Sequence, residues 1–176
     1  MTALSTQFGE PRDPPHLRSS DFVEFYHGMY GRLASQVYAF LGDAAEAEDV
    51  VQEAFLRAWQ RWRRVREYDD PAGWVRRVAM NLATSRWRRL AAGGRAYRRH
   101  GRPADAPPLD PDHVALVAAL RTLPPNQRMA VVLHYIADLS VADVAVELDV
   151  PRNTVLSWLH RARAQLAVEL QGGTDE

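Results

Sequence analysis

Residues 74–89, WVRRVAMNLATSRWRR, contain five arginines, two tryptophans and one asparagine at the spacing of an amphipathic helix. Polar side chains three or four residues apart lie on one side of such a helix. Four of them share an outward strip here, and they are Arg77, Asn81, Thr84 and Arg88. Trp74 flanks the strip, and Tyr68 stands in the segment before it. Because guanidinium groups bind phosphates and aromatic rings stack on unpaired bases, the segment predicts a surface for partly opened DNA.

The preceding segment carries an acidic strip. Three carboxylates at i, i+3 and i+7 share a helical face with one amide, and these residues are Glu46, Asp49, Glu53 and Gln52. An acidic face repels DNA, so the pattern favours a protein partner over a nucleic acid. A face that is simply solvated is the alternative interpretation of the same spacing.

The charge of the chain is unevenly distributed, although the net charge of its 176 residues is zero. Residues 57–102 hold 14 arginines and 3 acidic residues, a net charge of +11. Residues 1–56 hold 3 arginines and 9 acidic residues, a net charge of −6. A concentrated positive block attracts polyanions, with a solvated helical face as the alternative.

No sequence signal indicates an enzyme active site. The six histidines are scattered, and there is no HExxH motif, phosphate-binding loop or glycine-rich nucleotide fingerprint. The absence of cysteine excludes disulfides, thiolate catalysis and cysteine-ligated zinc. The sequence therefore predicts no enzymatic activity, no cofactor, no metal and no small-molecule substrate. No apolar run reaches the roughly 18 residues of a membrane span and no signal peptide is recognisable, so we expect a cytoplasmic protein without membrane insertion.

Helical periodicity runs through the whole chain, and no stretch alternates convincingly with the period of a strand. The pattern predicts an all-α protein of two small helical domains, at residues 18–92 and 112–170. The proline-rich segment between them, residues 93–111, predicts a flexible linker. Residues 1–17 predict a flexible arm, and residues 171–176 predict a short tail.

Capping residues mark two of the predicted helix starts. Asp43 and Glu46 have the spacing of a capping box, and Asp70 precedes Pro71 as a cap precedes a first-turn proline. The predicted helices cover about residues 20–41, 44–66, 71–90, 113–122, 127–138, 141–148 and 152–170.

Residues 139–166, LSVADVAVELDVPRNTVLSWLHRARAQL, have the pattern of a helix-turn-helix unit. A short helix, a tight turn and a longer helix follow one another, and Ala145 is small where the helices must cross closely. The second helix of such a unit enters the DNA major groove, where its outer side chains meet base edges and phosphates. The predicted outward side chains are Asn153, Ser157, His160, Arg161 and Ala164. A plain helical hairpin without a DNA role is the alternative.

Three blocks in this order resemble the bacterial sigma factors of the extracytoplasmic-function (ECF) type, which are two-domain factors of transcription initiation. Residues 45–62, AEAEDVVQEAFLRAWQRW, are similar to region 2.2, which docks on the β′ clamp helices of RNA polymerase. Residues 70–89, DPAGWVRRVAMNLATSRWRR, are similar to region 2.4, which reads the −10 promoter element. Residues 120–166 are similar to region 4, which reads the −35 element. The resemblance covers about residues 20–168 and is strongest to the actinobacterial SigE subgroup.

The resemblance implies two partners, core RNA polymerase (through the β′ clamp helices and the β flap) and promoter DNA. It assigns core binding to Asp49, Gln52, Glu53 and Phe55. It assigns −10 binding to Tyr68, Trp74, Arg77, Asn81 and Arg88, with an unpaired base held near Asn81 and the loop 66–73. It assigns −35 binding to Arg152, Asn153, Ser157, His160 and Arg161. Many relatives also bind an anti-sigma factor, which makes such a protein a further candidate partner.

The chain departs from the family pattern in its C-terminal part. Asp149 stands where the turn usually has glycine, and Leu156 and Trp158 replace basic residues, which predicts fewer phosphate contacts at the −35 element. An ordinary helix-turn-helix regulator that binds DNA without polymerase is the alternative function. It would need an upstream sensory domain, usually with strands, and the sequence shows none.

Overall fold

The computed structural model describes residues 15–92 and 111–172, and every element within these two ranges is helical. The all-α fold predicted from the sequence is therefore confirmed. A π-helical turn, Val132–Ile136, continues the sixth helix. The helices are α1 (Pro15–Leu41), α2 (Ala44–Gln60), α3 (Trp62–Val65), α4 (Pro71–Ala92), α5 (Pro111–Thr122), α6 (Pro125–Val131), α7 (Val141–Leu148) and α8 (Arg152–Gly172).

Two predicted helices differ from the observed ones. The helix predicted over residues 44–66 is interrupted at Arg61, whose φ of −117° and ψ of 15° end α2 and start the short α3. This break brings the end of α2 and all of α3 beside the start of α4. The helix predicted over residues 127–138 begins two residues earlier and ends in the π-helical turn.

Capping carboxylates fix the starts of α2 and α4. Oδ1 of Asp43 accepts the backbone N–H of Glu46 over 3.0 Å, and Oδ1 of Asp70 accepts that of Gly73 over 2.7 Å, so both predicted caps are confirmed. Gly73 is required here, because a Cβ at this position would collide with the capping carboxylate. Asp149 ends α7 in the left-handed conformation, with φ 53° and ψ 50°.

The buried side chains of the molecule come from both sets of helices. In the first set, α1, α2 and α4 pack on one another, and α3 closes one end. In the second set, α8 packs on α5, α6 and α7. Each fully buried aliphatic or aromatic side chain contributes about 1.5–3 kcal/mol to the stability of this packing. The largest of them are Phe40, Leu33, Leu120, Leu133, Val37, Val51, Val65, Val75, Val132, Val144 and Val155.

The two sets of helices share one continuous core, since α1 also packs against α5 and the π-helical turn. Arg128 of α6 is 5% exposed, and its guanidinium donates to the carbonyls of Phe40 (2.9 Å), Arg121 (2.8 Å) and Leu123 (3.2 Å). Burial, with Arg121 nearby, lowers the pKa of Arg128, but an arginine remains charged at neutral pH. The sequence predicts domains joined by a linker. The structure adds a direct contact, which helical periodicity cannot reveal.

Most of the predicted arm, linker and tail lies outside the described residues. The exceptions are residues 15–17 in α1, residue 111 in α5 and residues 171–172 in α8, all of which are helical. Among the described helices, none is both long and apolar enough to cross a membrane.

Candidate protein and nucleic-acid interfaces

An acidic face on α2 carries Glu46 and three of the four residues that are predicted to bind a protein partner. We call it the α2 face, and it consists of Glu46, Asp49, Gln52 and Glu53. The side chains of Asp49 and Glu53 are 66% and 44% exposed, whereas that of Glu46 is 13% exposed. Neighbours on the same helix order this face, because Arg57 donates to Glu53 over 2.8 Å and Gln52 donates to Glu48 over 3.2 Å.

An arginine of α4 also reaches the α2 face. Nη2 of Arg86 donates to Oδ2 of Asp49 over 2.9 Å, and the same guanidinium contacts the carboxylate of Glu46. One arginine and two carboxylates leave a net charge of −1, so the face remains acidic. Helical spacing could not predict this pairing, because the partners lie on different helices and 37 positions separate Arg86 from Asp49.

Phe55 does not belong to the exposed part of α2. It is 3% exposed, and its ring packs 4.8 Å from that of Tyr26 and 6.1 Å from that of Tyr30. The structure thus corrects the assignment of Phe55 to a contact surface, because a core side chain cannot meet a partner. The exposed apolar side chain of α2 at this point is Leu56, which is 50% exposed. Burial, with the negative charge of Glu48 adding to it, raises the pKa of Tyr30.

The four polar side chains predicted to share one side of α4 keep that arrangement, and we call them the α4 strip. Its side chains are Arg77, Asn81, Thr84 and Arg88. Thr84 is half-buried and donates its hydroxyl to the carbonyl of Met80 over 2.8 Å, whereas the other three are exposed. Within residues 15–92 and 111–172, Arg77 and Arg88 form no ion pair, so both guanidinium groups are available to phosphates.

A cleft of about 800 Å³ opens between the end of α2, α3 and the start of α4. We call it the aromatic cleft, and its lining is Trp59, Gln60, Arg61, Trp62, Arg63, Arg64, Tyr68 and Trp74. The rings of Tyr68 and Trp74, both assigned to the −10 element, lie 6.4 Å apart and are tilted by 52°. Trp59 is 45% exposed, while Trp62 is 6% exposed and packs on Phe25. The structure therefore brings the two predicted aromatic residues together and adds two more.

Six of the eight lining residues of the aromatic cleft are not among the predicted site residues: Trp59, Gln60, Arg61, Trp62, Arg63 and Arg64. Their signal is the run WQRWRR at residues 59–64, which counted toward the positive block and the region 2.2 resemblance but predicted no cleft, because an unbroken helix was expected there. The break at Arg61 is what gathers them at one cleft. In the part of the chain that the structure describes, the three arginines form no ion pair.

A smaller cleft, of about 320 Å³, separates the α4 strip from the second set of helices. Leu148, Val150 and Trp158 line the side opposite the strip. Trp158 packs against the shared core, which explains why a tryptophan suits a position where the family has a basic residue. Beside this cleft, Arg76 donates from Nε and Nη2 to the two carboxylate oxygens of Glu147, both over 3.2 Å.

The predicted helix-turn-helix unit is formed by α7 and α8. Val144 and Ala145 of α7 are buried, as are Val155 and Leu159 of α8. Ser157 is half-buried and donates its hydroxyl to a backbone carbonyl one turn earlier over 2.8 Å. The other side chains assigned to −35 binding are exposed, and they are Arg152, Asn153, His160 and Arg161.

Comparisons with known proteins identify the family. Residues 25–92 match the family model for Sigma-70 region 2, and residues 113–166 match that for Sigma-70, region 4. The RNA polymerase sigma-E factor of Streptomyces coelicolor is 30% identical over 152 residues, which are 85% of this chain and 86% of that protein. The ECF RNA polymerase sigma factor SigL of Mycobacterium tuberculosis is 33% identical over 140 residues, covering 74% and 77% of the two chains. This chain is an ECF sigma factor.

Membership of the ECF sigma factors confirms the resemblance read from the sequence. The ECF sigma factor is thus an alternative sigma factor that directs the initiation of transcription, and the comparisons do not favour a polymerase-independent regulator. Its fold is also that of a solved relative. In the co-crystal structure of the sigma factor RpoE with the anti-sigma factor NepR from Bartonella quintana, one chain matches with a TM-score of 0.71 at 23% identity, covering 86% of this chain and 98% of that one.

Proposed function

We propose that this ECF sigma factor binds core RNA polymerase through the α2 face and reads a promoter through the α4 strip, the aromatic cleft and α8. One observation supports this most strongly. Arg86 of α4 meets α2, and it lies about 180° around the helix from the α4 strip, because each residue rotates a helix by about 100°. The acidic face and the arginine strip therefore point away from each other, and both partners can bind at once.

Core binding is proposed for Asp49, Gln52 and Glu53, with Leu56 as the apolar contact in place of Phe55. The exposed carboxylates suit a basic partner surface such as that implied for the β′ clamp helices. The second set of helices is proposed to bind the β flap. Exposed apolar side chains surrounded by charged ones are typical of protein interfaces, and Leu56 has this setting.

For the −10 element we propose that Tyr68 and Trp74 hold an unpaired base. A base sandwiched between two rings needs about 6.8 Å, twice the base-stacking distance of about 3.4 Å. The observed 6.4 Å separation is close to this value, and the 52° tilt between the rings would have to be removed when a base enters. Extruding a base costs a few kcal/mol, which stacking offsets. Asn81 would contact a base edge beside this pair, and Arg77 and Arg88 would bind phosphates.

For the −35 element we propose that α8 enters the major groove. The N-terminal residues of a recognition helix contact base edges, which favours Arg152 and Asn153 in the first turn, followed by the half-buried Ser157 and the exposed His160. Arg161 would contact a phosphate. The proposed domains are residues 18–92 for polymerase and −10 binding and residues 112–170 for −35 binding, with residues 93–111 passing through the RNA channel of the polymerase.

The same proposal covers the catalytic role, location and regulation of this protein. The polymerase carries out RNA synthesis, and the sigma factor itself has no catalytic activity. It acts in the cytoplasm, bound to the nucleoid when it is part of the holoenzyme. An anti-sigma factor that occupies one of the proposed surfaces would hold it inactive.

In vitro transcription with purified core polymerase and a genomic promoter library tests this function. We expect specific start sites only when both the protein and the core are present. The protein alone should not footprint a promoter. A footprint without core would support the alternative of a regulator that binds DNA without polymerase. The absence of any new start site with core would overturn the proposal.

A further inference from the structure

Arg86 belongs to the arginine-rich helix that faces DNA, yet its contacts are all on the opposite side. It lies nine positions after Arg77, which places it about 180° around α4 from the α4 strip. We propose that Arg86 is a positioning residue of the polymerase-binding face, which holds Asp49 in the orientation that core polymerase binds, and that it does not contact promoter DNA. This inference rests on the proposed function of the α2 face. It adds a residue outside that face on which polymerase binding depends.

Arg86 contacts one largely buried carboxylate, that of Glu46, and one exposed carboxylate, that of Asp49. The guanidinium contacts the carboxylate of Glu46, which is 13% exposed, and Arg86 itself is 29% exposed. Nη2 of the same guanidinium donates to Oδ2 of Asp49 over 2.9 Å, while the side chain of Asp49 remains 66% exposed. Asp49 is therefore fixed through one oxygen, and much of its carboxylate still faces a partner.

The charge of the surface argues that Arg86 supplies order rather than attraction. The charged groups facing this region are Glu46, Glu48, Asp49, Glu53 and Arg57 from α2 and Arg86 from α4. Four carboxylates and two arginines give a net charge of −2. Removing the charge of Arg86 would make it −3, which strengthens attraction to a basic partner. A loss of core affinity on removing Arg86 would therefore have to come from disorder of the acidic side chains.

Preorganisation gives the expected size of that loss. A side chain that is already held in its bound conformation loses less conformational entropy on association, and for one side chain this amounts to about two- to tenfold in affinity. Arg86 forms ion pairs with two carboxylates from one planar guanidinium, a shape that an ammonium group does not reproduce.

The test measures the affinity of purified bacterial core polymerase for the full-length chain. We expect Arg86→Gln to weaken core binding by about five- to tenfold. Arg86→Lys keeps the charge without the planar guanidinium, so its affinity for core should lie between those of Arg86→Gln and the original chain. In an Asp49→Asn background the further effect of Arg86→Gln should shrink to about twofold or less, since the group it positions has lost its charge. Arg89→Gln, an exposed arginine of the same helix outside the α4 strip, is the matched control and should leave core affinity unchanged.

A second measurement separates this role from a phosphate contact. Holoenzyme assembled at saturating concentration with Arg86→Gln should bind promoter DNA with the original affinity and the original salt dependence. An arginine that bound a phosphate would instead lower the slope of log affinity against log salt by about 0.9. A lower salt slope would overturn the inference, and so would an unchanged core affinity. It would also be overturned if Arg86→Gln weakened core binding equally with and without Asp49→Asn. If the original chain itself failed to bind core, the proposed function would be overturned instead.

Discussion

Arg76 of α4 and Glu147 of α7 form a two-point ion pair across the junction of the two sets of helices, with both N–O distances at 3.2 Å. Their side chains are 14% and 5% exposed. The −10 and −35 elements lie about 25 base pairs apart, which is about 85 Å along B-form DNA. The α4 strip and Trp158 of α8 line one cleft here. If α4 and α8 read these two elements as proposed, the two helices have to separate, and this ion pair has to break, when both elements are bound.

Glu147→Gln should destabilise the free protein without weakening promoter binding by the holoenzyme. Removing one partner of a buried ion pair costs about 3–5 kcal/mol, so we expect the free energy of unfolding in denaturant to fall by about 3 kcal/mol. Exchanging the charges, with Arg76→Glu and Glu147→Arg together, should recover part of the loss. The exposed Glu169→Gln is the control. A drop of more than about twofold in promoter affinity would mean that the pair persists on DNA.

Asp49→Arg combined with Glu53→Arg should abolish co-purification with core polymerase. The reversed charges would face a basic surface, whereas the fold should survive because exposed ion pairs contribute about 1 kcal/mol or less each. A pull-down of core subunits measures the binding, and thermal unfolding checks the fold. Glu24→Arg with Glu169→Arg changes the net charge equally outside the α2 face. Retention of core by the first pair of changes would refute the docking assignment.

Asn81→Ala should reduce discrimination between −10 sequences by about tenfold, since a good base contact is worth about 1–3 kcal/mol. Core affinity should stay the same, because Asn81 lies on the α4 strip rather than the α2 face. Holoenzyme binding to promoters with altered −10 elements measures the effect. Ser85→Ala serves as the control, because among the residues that the structure describes its hydroxyl donates to the backbone carbonyl of Asn81 and to no other group. Parallel losses of core and promoter binding would count against a base-reading role.

His160→Ala and Arg161→Ala should weaken promoters that depend on the −35 element and spare those with a strong −10 element alone. If Arg161 binds one phosphate, its removal should lower the salt slope of promoter binding by about 0.9. Affinity titrations at several salt concentrations give this slope. Full activity of both variants on every promoter would exclude α8 residues 160 and 161 from recognition.

Asp149→Gly should stabilise the protein. Asp149 holds φ at 53°, a left-handed conformation that costs a side chain about 1–2 kcal/mol and glycine almost nothing. We expect the free energy of unfolding to rise by about 1 kcal/mol, and the melting temperature by about 2–4 °C for a chain of this size. Differential scanning calorimetry measures both. A lower melting temperature would show that the aspartate side chain stabilises the turn.

Local patterns predicted much of this molecule, and contacts between distant segments were beyond them. The spacing of Asp43 and Asp70 indicated helix starts that the structure contains, because a cap involves neighbours in sequence. The periodicity of α2 placed Phe55 in the buried stripe, and the structure buries it, whereas its assignment to polymerase contact came from the family resemblance alone. Arg86 shows the same limit, because periodicity places it on a side of α4 without saying which helix lies there.

The three hydrogen bonds from Arg128 to backbone carbonyls have a consequence for engineered chimeras of sigma factors. One of its acceptors, the carbonyl of Phe40, is supplied by the other half of the molecule, 88 positions away in the chain. A chimera that grafts the C-terminal half of this sequence onto a foreign N-terminal half would keep the guanidinium but would have to provide an equivalent carbonyl at the end of its own first helix. Swaps that transplant α1 along with α6 should preserve this packing, whereas swaps at the proline-rich junction would leave Arg128 with only the two carbonyl acceptors of its own half, those of Arg121 and Leu123.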